Sequence, residues 1–301
     1  MILKPADYLK VRTTSINYEG MVSKVKIAVF SDIHISDVIG YRDFGKVIDY
    51  LRECTPDYIC IVGDIVDSVS LLSNVFVREI VTSFLKACGE IAKTLVTLGN
   101  HDYLRDNPSG EIPSFWEEID KLEGVYLLNN KIYRDDKILV MGYLQKRDFY
   151  ESNVMYDDLA KRKELYMNLP SGLFKIALIN SPDFINDKKA RRLLVDYNLF
   201  ISGHYHSGCV PFFMNDLFDK NWGIINPKRK FFPKIARGIV KLEKNQRLLI
   251  TGGITKIQGC ASWWYRPLNN LCYKELDILD IEAENMDYFY SYCKIYLKKK
   301  K

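Results

Sequence analysis

The stretch Lys24–Phe30 (KVKIAVF), running straight into Ser31-Asp32-Ile33-His34, decides how the chain folds. A short run that is mostly apolar and rich in β-branched residues, closed by a polar turn, reads as a strand buried on both faces. The pattern returns at Asp57–Val62 (DYICIV), which ends in Gly63-Asp64, and at Lys93–Leu98 (KTLVTL), which ends in Gly99-Asn100-His101-Asp102. Between them, Arg42–Glu53 and Leu71–Ala92 carry helical periodicity. Strands alternating with helices predict an α/β fold with a largely parallel sheet.

Further along, Gly124–Leu128, Lys131–Arg134 and Lys137–Tyr143 read as short strands parted by Asn129-Asn130 and Asp135-Asp136. Val154–Met167 reads as a charged helix, Phe174–Ile179 as a strand, Phe184–Tyr197 as a helix, and Leu199–Ser202 as a strand. Arg247–Thr251 and Leu276–Ile281 read as closing strands. A polar cluster stands at the C-terminal end of one apolar strand after another, where open α/β sheets place their ligand sites.

The 301 residues are 48% apolar and 27% charged, an ordinary globular balance, and contain no internal repeat or long linker. One domain over 1–301 follows, with motifs at 32–206, a lid or rim over 212–244 and closing strands over 247–281. No apolar run is long enough to span a membrane, and the start (MILKPADYLKVRTT) lacks the apolar core of a signal peptide. These features predict a cytoplasmic protein, compatible with peripheral membrane contact. The seven cysteines form no CxxC pair and read as buried free thiols. A net charge of +5 favours phosphate-bearing partners only slightly. The Lys298–Lys301 run reads as a solvated tail.

Five clusters carry the chemistry: Asp32/His34, Asp64 with Asp67, Asn100-His101-Asp102, Asn180-Ser181-Pro182-Asp183, and His204/His206. Carboxylate and amide oxygens mixed with imidazoles are what hard and borderline divalent metals bind. Residues two apart in an extended segment project to one side, which would aim Asp32 with His34 and His204 with His206 into one cavity. An Asp after a strand is commonly an Asx-turn or a helix cap, so no single cluster decides the matter. The chain has four histidines, however, and all of them fall in these clusters.

The ordered series D-x-H, G-D-x-x-D, G-N-H-D and G-H-x-H resembles the calcineurin-like metallophosphoesterase superfamily. The resemblance implies a four-layer αββα sandwich with a dinuclear metal site at the C-terminal strand ends. It implies that Asp32, His34 and His206 hold a first metal, that Asp64 bridges, and that Asn100 and His204 hold a second. His101 would face the scissile phosphate, with Asp102 placed to orient it. The implied cofactors are two divalent ions, manganese foremost and iron or zinc as alternatives. The implied reaction is hydrolysis of a phosphoester, a phosphodiester before a monoester. The cation pair would supply an acidified water for in-line attack, and protonated His101 would donate to the leaving oxygen. Gly203–Cys209 (GHYHSGC) and Arg266–Leu276 (RPLNNLCYKEL) loosely resemble segments of the bacterial branch of membrane-associated and lipid-directed phosphodiesterases.

One position departs from the family. Asn180 stands where the resemblance calls for another histidine ligand of the second metal. Three explanations fit: an Asn180 or water ligand in a looser second site, an Asn-for-His variant made to slow turnover, or a phosphate-binding protein that has lost catalysis. An amide oxygen is a poorer donor than imidazole for Mn²⁺, Fe²⁺ or Zn²⁺. No residue is assigned to substrate contact. Segment 212–244 mixes aromatics with Lys228, Arg229, Lys230, Lys234 and Arg237, and reads as a solvated loop or as a rim for an amphipathic phosphate substrate or a membrane surface. A phosphate-containing small molecule or lipid-like substrate ranks above nucleic acid, and hence above a nuclease, because no long basic stripe appears.

Overall fold

A computed structural model of the protein describes residues 8–21, 23–36, 44–215, 221–243, 245–255 and 271–283, with the backbone of 290–296. Among the described residues thirteen strands form two sheets. The first contains β1 (Leu9–Asn17), β2 (Val25–Phe30), β3 (Tyr58–Val62), β4 (Lys93–Thr97), β5 (Val125–Leu127), β12 (Lys274–Glu282) and β13 (Tyr290–Tyr296), in the order β13-β1-β12-β2-β3-β4-β5. The second contains β6 (Lys131–Arg134), β7 (Ile138–Tyr143), β8 (Phe174–Ile179), β9 (Leu199–Ser202), β10 (Gly238–Lys241) and β11 (Arg247–Ile250), in the order β10-β11-β9-β8-β7-β6.

The centre of each sheet is parallel, β2 through β5 in one and β7, β8, β9 and β11 in the other. Side-chain alternation then builds three apolar layers. Ile27, Val29, Cys60 and Val62 of the first sheet meet Val140, Ile176, Leu178 and Ile201 of the second in a core between the sheets. Ala28, Phe30, Ile59 and Ile61 point the other way, under α1 (Gly45–Cys54) and α2 (Val75–Ile91). Met141, Ala177, Ile179 and Phe200 do the same on the far side, beneath α5 (Arg147–Ser152), α6 (Tyr156–Leu159) and α7 (Lys188–Leu193). The αββα sandwich follows. Short helices α3 (Asn100–Tyr103) and α4 (Phe115–Ile119) complete the first helical layer.

Several expected elements are shorter or divided. The helix expected over 71–92 starts at Val75, because Asn74 is extended and its side chain caps Phe76 N. Val154–Met167 contains only α6 and a single 3₁₀ turn, Lys163–Leu165. Phe184–Tyr197 is broken at Asp187, whose carboxylate caps α7 through Lys189 N and Ala190 N. The expected hairpin region splits between the layers, with β5 beside β4 and β6–β7 in the other sheet. Strands β1, β10 and β13 were not expected. Of the Arg266–Leu276 segment, residues 266–270 lie outside the described residues and Lys274–Leu276 open β12, while the Lys298–Lys301 tail lies outside them altogether. Cys60, Cys88, Cys209 and Cys272 are buried free thiols and Cys54 a half-buried one. No helix among the described residues is long and apolar enough to cross a membrane.

Candidate metal centre

The loops that leave β2, β3, β4, β8 and β9 converge at one end of the sandwich. Backbone bonds lace them: Asp32 N to Gly63 O at 3.1 Å, His34 N to Asp64 O at 3.0 Å, and Gly203 N to Asn180 O at 2.9 Å. The two sheets are joined by His204 N, which donates to both oxygens of Asp32 at 3.0 Å. A Cβ on Gly99 would collide with Asp64 Oδ1 and Asn180 Nδ2, so only glycine lets these loops approach.

Asp32, His34, Asp64, His204 and His206 all have φ between 47° and 65°. Their convergence is therefore not the alternation of an extended strand. Each ligand is swung inward by a left-handed residue, a conformation that costs about 1–3 kcal/mol and gathers at functional sites.

Asp32, His34 and His206 offer ligand atoms within 4.8 Å of one another. His206 Nε2 is 3.5 Å from Asp32 Oδ1, and its Nδ1 lies 3.0 Å from the Thr255 carbonyl, which fixes the ring. Asp64 Oδ2 sits 3.6 Å from His204 Nδ1. His34 Nε2, Asp64 Oδ2 and Asn100 Oδ1 are buried without a hydrogen-bond partner. An unmet buried acceptor costs about 1–3 kcal/mol, and divalent cations held among these oxygens and imidazoles would satisfy all three. The residues fit the metals that the motif order implies.

The charges fit as well. Burial and the neighbouring Asp64 push Asp32 up to about 6. Burial also opposes ionisation of Asp64, but His101, His204 and His34 hold it well below the usual carboxylate range. Burial pulls the His34 imidazole down, yet Asp67, Asp64 and Asp32 outweigh it and raise its pKa. Two buried carboxylates pressed together in this way are what a bound cation neutralises.

His101 lies at the edge of the His34 ring, centroids 4.5 Å apart, and its Nδ1 is 2.7 Å from the Asp67 carbonyl. Burial, with His34 and Arg105 beside it, pushes its pKa down to about 4. Burial leads that shift, and the Asp64 carboxylate opposes it.

Asp102 also corrects an expectation. Its Oδ1 accepts from Ile65 N and Val66 N at 2.8 and 2.9 Å, and its Oδ2 from Gly99 N at 2.8 Å. Those backbone donors absorb the carboxylate, so Asp102 does not orient His101 and instead locks the β3 and β4 loops together. The group at the histidines is Asp67, whose Oδ1 is 3.2 Å from His34 Nδ1 and 3.7 Å from His101 Nδ1. The sequence placed Asp67 in a cluster but gave it no role.

Asn180 is buried beside Asp64 but does not offer its amide to a metal in this arrangement. Its Nδ2 donates to Val62 O at 3.2 Å, and its Oδ1 accepts from the Tyr150 hydroxyl at 3.1 Å. Neither Tyr150 nor Thr255 was legible as a site residue, since both reach the centre from outside the motif loops.

Calcineurin-like phosphoesterases match residues 25–208, the span that carries every one of these loops. A zebrafish (Danio rerio) transmembrane protein with a metallophosphoesterase domain is 26% identical over 64% of this chain. The uncharacterized metallophosphoesterase YkuE of Bacillus subtilis is 28% identical over 62%, and Cj0846 of Campylobacter jejuni is 22% identical over 91%. The chain covers 44%, 61% and 64% of these three proteins, less than two thirds of each. With the matched residues spanning more than half its length, the chain belongs to the calcineurin-like phosphoesterase family.

Proposed function

We propose that the protein hydrolyses a phosphodiester at a dinuclear centre that takes manganese. The observation that supports this reading is the set of buried, unpartnered acceptors on His34, Asp64 and Asn100 between Asp32/His206 on one side and His204 on the other. Asp32, His34 and His206 would hold one cation, Asn100 and His204 the other, with Asp64 between them. When bound, such a pair supplies Lewis acidity and an acidified water. Asp67 Oδ1 lies 3.2 Å from His34 Nδ1, on the side of the ring away from Nε2, which would be left for the cation. His101 lines the phosphate approach, and an arriving phosphoester anion shifts it toward the protonated form that can serve the leaving oxygen.

The rim supports an amphipathic substrate. Residues 223–234 form a hairpin seated on the His206 loop, with Ile224 N and Ile225 N donating to Gly208 O at 2.8 and 3.1 Å. Ile225 pairs with Phe231 across it. Phe232 has φ 52°, which breaks strand alternation, and both Phe231 and Phe232 are exposed, at 68% and 57%. Arg229, Lys230 and Lys234 are exposed around them. Apolar rings ringed by cations suit an anionic lipid-like phosphodiester at a membrane surface. The free thiols are at home in a reducing compartment such as the cytoplasm.

The test compares hydrolysis of bis-p-nitrophenyl phosphate, p-nitrophenyl phosphate, single-stranded DNA and an anionic phospholipid in vesicles. Manganese-dependent, chelator-sensitive turnover of the diester and the lipid is the expected result. Activity indifferent to EDTA overturns the reading, and preference for the monoester or for DNA overturns the substrate assignment.

A further inference from the structure

Asn180 sits at the second metal position, and its amide is engaged at both the nitrogen and the oxygen. The Val62 carbonyl can only accept, so the end of the amide facing it must be Nδ2. That assignment turns Oδ1 toward Tyr150 on α5, whose hydroxyl donates to it at 3.1 Å, the shorter of its two acceptor distances, with Gln145 Oε1 at 3.4 Å. The backbone beneath is held as well. Gln145 Nε2 donates to Ser181 O at 3.0 Å, and Ser181 N donates to Gln145 Oε1 at 2.6 Å. The Tyr103 hydroxyl in turn donates to the Gln145 carbonyl. Asn180 thus has neither the rotameric freedom nor the uncommitted oxygen of a ligand, although it is buried beside Asp64 and between Gly63 and Gly99.

Tyr150 touches the same position from a second direction, its ring centroid 5.6 Å from that of His204. Asp64 Oδ2 and Asn100 Oδ1, by contrast, remain without a hydrogen-bond partner. The position therefore presents two uncommitted oxygens and one imidazole, plus an amide that the protein itself keeps occupied.

We infer that Tyr150 is a positioning residue that withholds Asn180 from the second metal, so that this cation binds through Asp64, Asn100 and His204 alone and exchanges more readily than the first. The inference rests on the reading of those three residues as the second metal position. It makes the phenol a determinant of metal occupancy. Losing its hydroxyl leaves Asn180 Oδ1 a buried acceptor with no donor, which a cation can then recruit.

The experiment is a Mn²⁺ titration of the full chain followed by electron paramagnetic resonance, with no substrate present. Wild type should show one tight class of site and one weaker class. Tyr150→Phe should tighten the weaker class about tenfold, the scale on which supporting groups act at metal sites. Asn180→Ala should leave that class where wild type has it, because the amide is not a ligand. Both variants break the same hydrogen bond, so a general loosening would move them alike, whereas ligand release separates them.

Two equally tight sites in wild type, an unmoved weaker class in Tyr150→Phe, or weaker binding in Asn180→Ala each overturn the inference. If Tyr150→Phe fails to fold, the Asn180→Ala titration still decides whether the amide is a ligand. The readout needs no turnover. A chain that binds manganese in this pattern but cleaves no phosphoester defeats the proposed activity and leaves the inference standing.

Discussion

The backbone N–H of His204 donates to both carboxylate oxygens of Asp32, at 3.0 Å to each. That bifurcated contact couples the loop after β9 in one sheet to the loop after β2 in the other. Asp32 therefore has two tasks, carrying negative charge for a cation and closing the sandwich at its functional end.

The two tasks separate by substitution. Asp32→Asn keeps an oxygen for His204 N and should cost about 1 kcal/mol or less, while manganese affinity at the first position falls at least tenfold. Asp32→Ala leaves a buried N–H unpaired and should cost a further 1–3 kcal/mol or so. Urea denaturation and bound-metal analysis on the same samples check both, and equal stabilities for the two variants would remove the structural half of the claim.

His101 and Asp102 are neighbours in sequence with opposite duties. Asp102 satisfies three backbone donors on Ile65, Val66 and Gly99, so Asp102→Ala should lower stability by about 2–4 kcal/mol. His101→Ala strands no comparable set of donors and should melt near wild type while losing roughly a hundredfold or more in turnover of an alkyl phosphodiester. Thermal melts and steady-state rates together distinguish them. If Asp102→Ala melted like wild type and failed only in turnover, Asp102 would belong to the chemistry after all.

How much of this was legible before the structure depends on how locally each feature is encoded. Strands such as Ile27–Phe30 and Ile59–Val62 announce themselves because they are apolar on both faces, and the polar residues after them mark the site. Histidines 34, 101, 204 and 206 were legible because imidazoles are scarce in this chain. Strand β1 was not, since Leu9–Asn17 alternates with lysine, arginine and threonine and finds its place only between β12 and β13, across most of the chain length. The role of Asp102 was hidden for a similar reason. Its partners are backbone amides, which carry no signature in the side-chain sequence. Tyr150 lies in a stretch read as neither helix nor motif, and only the packing of α5 against the β8 loop brings its hydroxyl to Asn180.

Far from the metal loops, Asp135 offers a clean test of pH linkage. Its carboxylate sits in the β6–β7 turn and accepts from the Tyr58 hydroxyl at 2.7 Å, the Tyr133 hydroxyl at 2.8 Å and Ile138 N at 3.1 Å, with Lys93 Nζ at 3.2 Å. Tyr58 begins β3 in the first sheet, so the aspartate fastens the two sheets at the end away from the site. Burial alone would raise its pKa, but these donors outweigh burial and hold it well below the ordinary carboxylate value of 3.8. A carboxyl whose folded pKa lies below its unfolded one stabilises fully above the unfolded value and loses that contribution as pH falls through the folded value. Asp135→Asn should therefore cost about 1–3 kcal/mol at pH 6 to 7. The gap to wild type should begin to close below about pH 4 and shrink steadily as the solution is acidified further. Urea unfolding of both proteins between pH 7 and pH 3 measures it, and a gap that stayed constant across that range would show that the ionised carboxylate is not what ties Tyr58 to the turn.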